Sequence, residues 1–99
     1  MPDRHDAILK LAEAAATDED KEVRSSMAAY LDVLAKVTPD RHDATFKLAE
    51  VAATDVDKEV RSKMARYLDD LAKAMPNRHD DVVLLLKSLL SDEDNHVKR

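Results

Sequence analysis

The sequence predicts an all-α protein, an α-solenoid of stacked antiparallel helix pairs, and three observations carry that expectation. The pentapeptide Pro2-Asp3-Arg4-His5-Asp6 returns as Pro39-Asp40-Arg41-His42-Asp43 and again as Pro76-Asn77-Arg78-His79-Asp80, each time after 37 residues. Apolar residues within each copy recur every three or four positions, which is the period of a helix and not of a strand. The 99 residues include no glycine, on which the positive-φ turns of hairpin-rich folds depend. A single domain, 1–99, then holds repeat 1 (2–38), repeat 2 (39–75) and a partial repeat 3 (76–99). Units that cannot hide their apolar faces alone do so by lying against a neighbour.

The first helix is expected near 3–16. Ile8, Leu9, Leu11, Ala12 and Ala15 form its apolar face, and Asp3, Asp6, Lys10 and Glu13 follow one polar stripe. Thr17-Asp18-Glu19-Asp20 makes the turn, where Asp20 is a good N-cap for a second helix over 21–37. Val23, Met27, Tyr30, Leu31 and Leu34 mark the buried side of that helix, with the tyrosine hydroxyl at a layer edge. Thr38-Pro39-Asp40 closes one copy and opens the next, since proline is tolerated in a helix's first turn. The second copy repeats the plan with helices near 40–53 and 58–74, and matches the first at 28 of 37 positions. That identity fits a recent duplication and a designed array with no natural ligand equally well.

The third copy supplies a helix near 77–90 and a stub after 94. Its helix is more apolar than its predecessors, with Leu84 where Lys10 and Lys47 stand and Leu90 where Ala16 and Ala53 stand. Val82, Val83, Leu85, Leu86 and Leu89 complete it, so the last helix lacks the polar outer face that ends a repeat array. Self-association through Val82, Val83, Leu84, Leu86 and Leu90 is expected, as a homo-oligomer or as part of a longer array.

Composition narrows the function. The chain has 16 basic and 21 acidic residues and a net charge of −5, without the basic stripe of a phosphate-backbone binder. Lys63, Arg66 and Lys73 are interrupted by Asp69 and Asp70, and the first copy offers only Lys36 at matching positions, so nucleic acid is not the expected partner. Without cysteine there are no disulfides, thiolate metal sites or cysteine nucleophiles, and without glycine there is no phosphate cradle. The longest apolar run, Val82 to Leu86, is far short of the roughly 20 residues that span a bilayer. Met1-Pro2-Asp3-Arg4 has no signal-peptide character, so a cytoplasmic protein with no membrane partner is expected. Ser25, Ser26 and Ser62 have no histidine patterned to activate them, and no catalytic residue or cofactor is expected.

His5, His42 and His79 each precede an aspartate and invite a metal reading. Equivalent positions in adjacent layers ought to lie roughly 8–10 Å apart, too far to share one ion. A role as a turn or surface hydrogen-bonder is therefore the expectation, and a metal-dependent enzyme using the His-Asp pairs is the rival.

The segment Asp18-Glu19-Asp20-Lys21-Glu22-Val23-Arg24, followed by Met27-Ala28 and Leu31, resembles the inter-helix turn and second helix of a HEAT or HEAT-like repeat. It returns as Asp55-Val56-Asp57-Lys58-Glu59-Val60-Arg61 with Met64-Ala65 and Leu68, and as Asp92-Glu93-Asp94-Asn95-His96-Val97-Lys98. The resemblance spans essentially the whole chain, with Pro2, Pro39 and Pro76 near the usual proline of the first helix. Two departures stand out: a period below the about 40–47 residues of long units, and no glycine after the second helix. The resemblance implies a right-handed stack whose second helices line a concave surface. It also implies a ladder between layers, from Asp18, Asp55 and Asp92 to Arg24, Arg61 and Lys98. Among helical solenoids the iron-dependent deoxyhypusine hydroxylases use His-Glu dipeptides, and the His-Asp dipeptides here have a shorter carboxylate arm.

Four of the nine differences between the first two copies, Ser26/Lys63, Ala29/Arg66, Val33/Asp70 and Val37/Ala74, run along one stripe of the second helix. In the resembled family that stripe looks toward the groove. Ser26, Ala29, Val33, Lys63, Arg66 and Asp70 are accordingly the candidate partner-binding residues of a non-catalytic protein-interaction scaffold. Glu59/Lys63 and Arg66/Asp70 also have the i, i+4 spacing of helix-surface ion pairs.

Overall fold

The computed structural model of the chain describes residues 4–91, and among these the fold is entirely helical. Helix α1 spans Arg4–Ala16, α2 Lys21–Ala29, α3 Leu31–Val37, α4 His42–Ala53, α5 Lys58–Ala74 and α6 His79–Leu90. A short 3-10 turn over Pro76–Arg78 leads into α6. The expected stub after 94 and the ladder residues Asp92 and Lys98 lie outside the described residues.

The turns are made without glycine because aspartates pin them. Asp20 and Asp57 cap α2 and α5 by accepting the N–H groups of Glu22 and Glu59, each at 2.8 Å. Asp18 and Asp55 in turn accept the N–H groups of Asp20 and Asp57, again at 2.8 Å. None of the described residues has a positive φ, so nothing in these turns requires glycine.

Helices α1, α4 and α6 pack side by side, and α2, α3 and α5 pack behind them. The Cα extents of 46 × 31 × 14 Å are those of a slab two helices thick. The core follows α5, whose Val60, Met64, Leu68 and Leu71 are buried together with Met75 just beyond it. Each such side chain contributes roughly 1.5–3 kcal/mol by leaving water.

Three expectations are corrected. The helix over 21–37 is interrupted at Tyr30, whose N–H bonds to the Met27 carbonyl three residues back. Its counterpart over 58–74 runs unbroken. Lys63 and Ala74 favour helix more than Ser26 and the β-branched Val37 at the same positions, whereas Ala29, next to the break, favours it more than Arg66, so helix propensity alone does not explain the interruption. The second correction concerns helix starts: α4 begins at His42 and α6 at His79, after turns in which Arg41 and Arg78 bond back to Thr38 and Met75.

The third correction is the larger. Leu11, Val23 and Tyr30 belong to the expected apolar faces, yet all three are exposed. Leu11 is 74% exposed whereas Leu48, the same residue one repeat later, is 7% exposed; Val23 and Val60 stand at 36% and 1%. The second copy is covered by the first, and the first has no described neighbour on that side.

Candidate functional site

A groove of about 700 Å³ runs between α2–α3 and α5. One wall carries Glu22, Ser25, Ser26, Ala29, Tyr30, Asp32 and Val33 from the first copy, and the other carries Glu59, Lys63 and Tyr67 from the second. Of the six candidate partner-binding residues, Ser26, Ala29, Val33 and Lys63 line this groove. Arg66 sits in an adjoining hollow of about 400 Å³ with Lys58, Glu59, Ser62 and Lys63. Asp70 is exposed and lines neither.

Sequence reasoning missed Tyr30, Tyr67, Glu22, Asp32 and Glu59 as groove residues. Comparing the copies picked out positions that differ, and the two tyrosines and two glutamates are the same in both. Helical periodicity assigned the tyrosines to the core; Tyr30 instead stands exposed where α2 breaks into α3.

The groove walls are held at a set distance by ion pairs between the copies. Lys21 reaches Glu59 at 2.9 Å and Asp57 at 3.8 Å, and the Glu59 hydrogen bond and charge hold its ammonium above the ordinary lysine range. Glu59 is thus engaged by the first copy, and the i, i+4 pair on α5 is Lys73 with Asp69 at 3.4 Å. Deeper in, Arg24 donates Nε and Nη2 to the two Asp55 oxygens at 2.8 and 3.2 Å. Its Nη1 donates to the carbonyls of Asp18 and Glu19 at 2.8 and 3.1 Å, so one side chain joins both inter-helix turns. The Asp55 hydrogen bond outweighs desolvation and holds the guanidinium still more firmly protonated. Arg61 donates to the Asp55 carbonyl at 2.7 Å, as Arg24 does to Asp18.

The proline-led turns are clasped in the same manner. Arg41 pairs with Asp6 and Arg78 with Asp43, one repeat apart each time. His5 Nδ1 meets Asp40 at 2.5 Å, while His42 bridges the Ala35 carbonyl through Nε2 at 3.1 Å and the Asn77 amide through Nδ1 at 3.2 Å. Burial opposes the Asp40 charge, but its own backbone N–H, the His5 hydrogen bond and the nearby Arg41 outweigh it and hold the carboxyl below the usual range. His5 and His42 are therefore tied to residues of the next copy instead of forming pairs with the aspartates that follow them. Among the described residues no group of three or more His, Cys, Asp or Glu is placed to hold a metal ion.

The residues of the expected self-association surface divide. Val82 is buried in the core, so it cannot face a partner; Val83 and Leu86 are half-buried; Leu84 and Leu90 are exposed. The reason is that α6 packs on both α4 and α5, which takes up one side of a helix apolar over most of its length and leaves the other. Among the described residues no helix is long and apolar enough to cross a membrane. Set against known protein families, curated proteins and solved structures, the chain matches none.

Proposed function

We propose that the chain is a HEAT-like α-solenoid unit acting as a non-catalytic protein-interaction scaffold, with the groove between α2–α3 and α5 as its binding surface. One observation carries this reading. The clasping residues Asp6/Asp43, Asp18/Asp55 and Arg24/Arg61 are the same in both copies, whereas Ser26/Lys63 and Ala29/Arg66 differ and lie in or beside the groove. A repeated set of clasps beside a lining that is partly shared, at Glu22/Glu59 and Tyr30/Tyr67, and partly varied, at Ser26/Lys63 and Ala29/Arg66, supports reading the groove as a recognition surface. The side-by-side order of α1, α4 and α6 over α2, α3 and α5 supports the stacked-pair reading.

The lining indicates the class of partner. Tyr30, Tyr67, Val33 and Ala29 offer amphipathic and apolar contact, and tyrosine gives a large contact area for few rotatable bonds. Glu22, Asp32 and Glu59 outnumber Lys63 on the walls. The best occupant is a protein segment with an apolar anchor flanked by basic residues.

Selection from a displayed peptide library tests this directly. Selected peptides are expected to carry basic flanks, to shift the backbone NMR signals of 22–33 and 59–67, and to lose about tenfold or more in affinity on Tyr30→Ser. Signal shifts confined to another face, or affinity unchanged by Tyr30→Ser, would remove the proposal.

A further inference from the structure

The two ends of the repeat stack carry, in exposed form, what the internal junctions bury. Where α1 meets α4, the second copy presents Arg41, Thr45, Leu48 and Ala52; Arg41 pairs with Asp6 and the other three are buried. The same positions on α1 are Arg4, Ile8, Leu11 and Ala15, a stripe along one side of the helix. Arg4 and Leu11 are exposed. At the opposite end, Asp80 occupies the place of Asp6 and Asp43, the carboxylates that take Arg41 and Arg78, and it is fully exposed beside His79. Val83 and Leu90 stand along the same side of α6, half-buried and 41% exposed. The series of Arg–Asp clasps therefore begins with an arginine at one end and finishes with an aspartate at the other.

The end residues also keep the apolar character of the internal ones. Ile8 stands where the internal junctions have the buried Thr45 and Val82, and Leu90 where they have the buried Ala16 and Ala53. An array that ends in water turns polar at its terminal faces. These faces stay apolar at those positions.

We infer that a second copy of this chain docks head to tail, its α1 edge seated on the α6 end of the first; the inference rests on the stacked-repeat reading above. The second copy's Arg4 meets Asp80, and its Ile8 and Leu11 pack on Val83 and Leu90, as Arg41, Thr45 and Leu48 do at the internal junction. The contact joins two different surfaces, so it generates open chains or rings and not a two-fold dimer.

Sedimentation of Leu11→Lys, Leu90→Lys and their equimolar mixture decides the matter, with far-UV circular dichroism confirming that each variant is folded. The wild type is expected to grow beyond two chains as concentration rises, and each variant alone to stay at the 11.1 kDa of one chain. The mixture is expected to form one-to-one dimers and nothing larger, because one variant keeps the α6 end and the other keeps the α1 edge. A wild type that stays monomeric, a mixture that stays monomeric, or either single variant that still associates would overturn the inference; the last result would assign a symmetric dimer to the unaltered end. Peptide capture by the groove is read separately, so failure of docking and failure of the scaffold reading are distinguishable.

Discussion

Leu11 and Leu48 stand in the same tetrapeptide, Lys-Leu-Ala-Glu, one repeat apart, and differ only in what covers them. Their truncation to alanine isolates the contribution of stacking, because helix propensity and denatured-state effects are matched. Burial of a core leucine makes Leu→Ala cost about 2–5 kcal/mol. Leu48 is 7% exposed and borders an open hollow beside Lys47 and Val51, which lets the site relax and places it at about 2–3 kcal/mol. Leu11 is 74% exposed, and surface substitutions of that kind stay within about 0.5 kcal/mol. For a domain of this size each kcal/mol moves the melting temperature by about 4–8 °C, so Leu48→Ala lowers Tm by roughly 8–24 °C and Leu11→Ala by less than about 4 °C. Urea and thermal unfolding followed by far-UV circular dichroism at low protein concentration, where two chains do not meet, gives both values. Equal losses for the two variants, or a larger loss for Leu11→Ala, would refute the claim that one copy is buried by the other.

The remaining expectations concern charge and helix continuity. Arg24→Ala removes the side chain that joins both turns and leaves the buried Asp55 carboxylate without it, so it lowers the urea midpoint clearly, whereas Lys21→Ala at the exposed pair with Glu59 changes it little. The Asp40 carboxyl is held below its ordinary value of 3.8 in the folded chain; its contribution is present above that pH and is lost as pH falls through the depressed value, so a midpoint-against-pH curve drops on that acid side and Asp40→Asn flattens the drop. Lys21 has the opposite sign: its raised value gives stability that is present below pH 10.5 and disappears as pH rises through the folded value. Replacing Ser26 with Lys and Val37 with Ala, the residues of the second copy, is expected to strengthen the helix around Tyr30 by about 0.5–1 kcal/mol, read as slower amide exchange at Tyr30 and Leu31.

The all-helical class was legible in the sequence alone. The 37-residue offset, the apolar spacing and the absence of glycine point to helices, and Asp20 caps the helix it was expected to cap, as Asp57 does in the second copy; the break at Tyr30 that divides the helix expected over 21–37 was not legible. The groove was legible in part: Ser26, Ala29, Val33 and Lys63, picked out because differences between the copies run along one stripe of the second helix, line it. Tyr30 and Tyr67 escaped notice because a tyrosine at core spacing reads as core until its neighbours are known. The histidines of the His-Asp dipeptides were expected to hydrogen-bond at turns or the surface, and His5 and His42 do so. That the partners lie in the next copy, Asp40 and Asn77, was not legible, because the sequence does not say which turn arrives beside them.

Local patterns of residue type determine helix, cap and turn because those depend on interactions over four residues or fewer. Exposure does not follow from them. Leu11 and Leu48, or Val23 and Val60, are the same residue in nearly the same local sequence, yet one of each pair faces water and the other lies in the core. Only the packing of one copy's helices against the other's decides between them, since burial depends on which surface arrives from a distance along the chain.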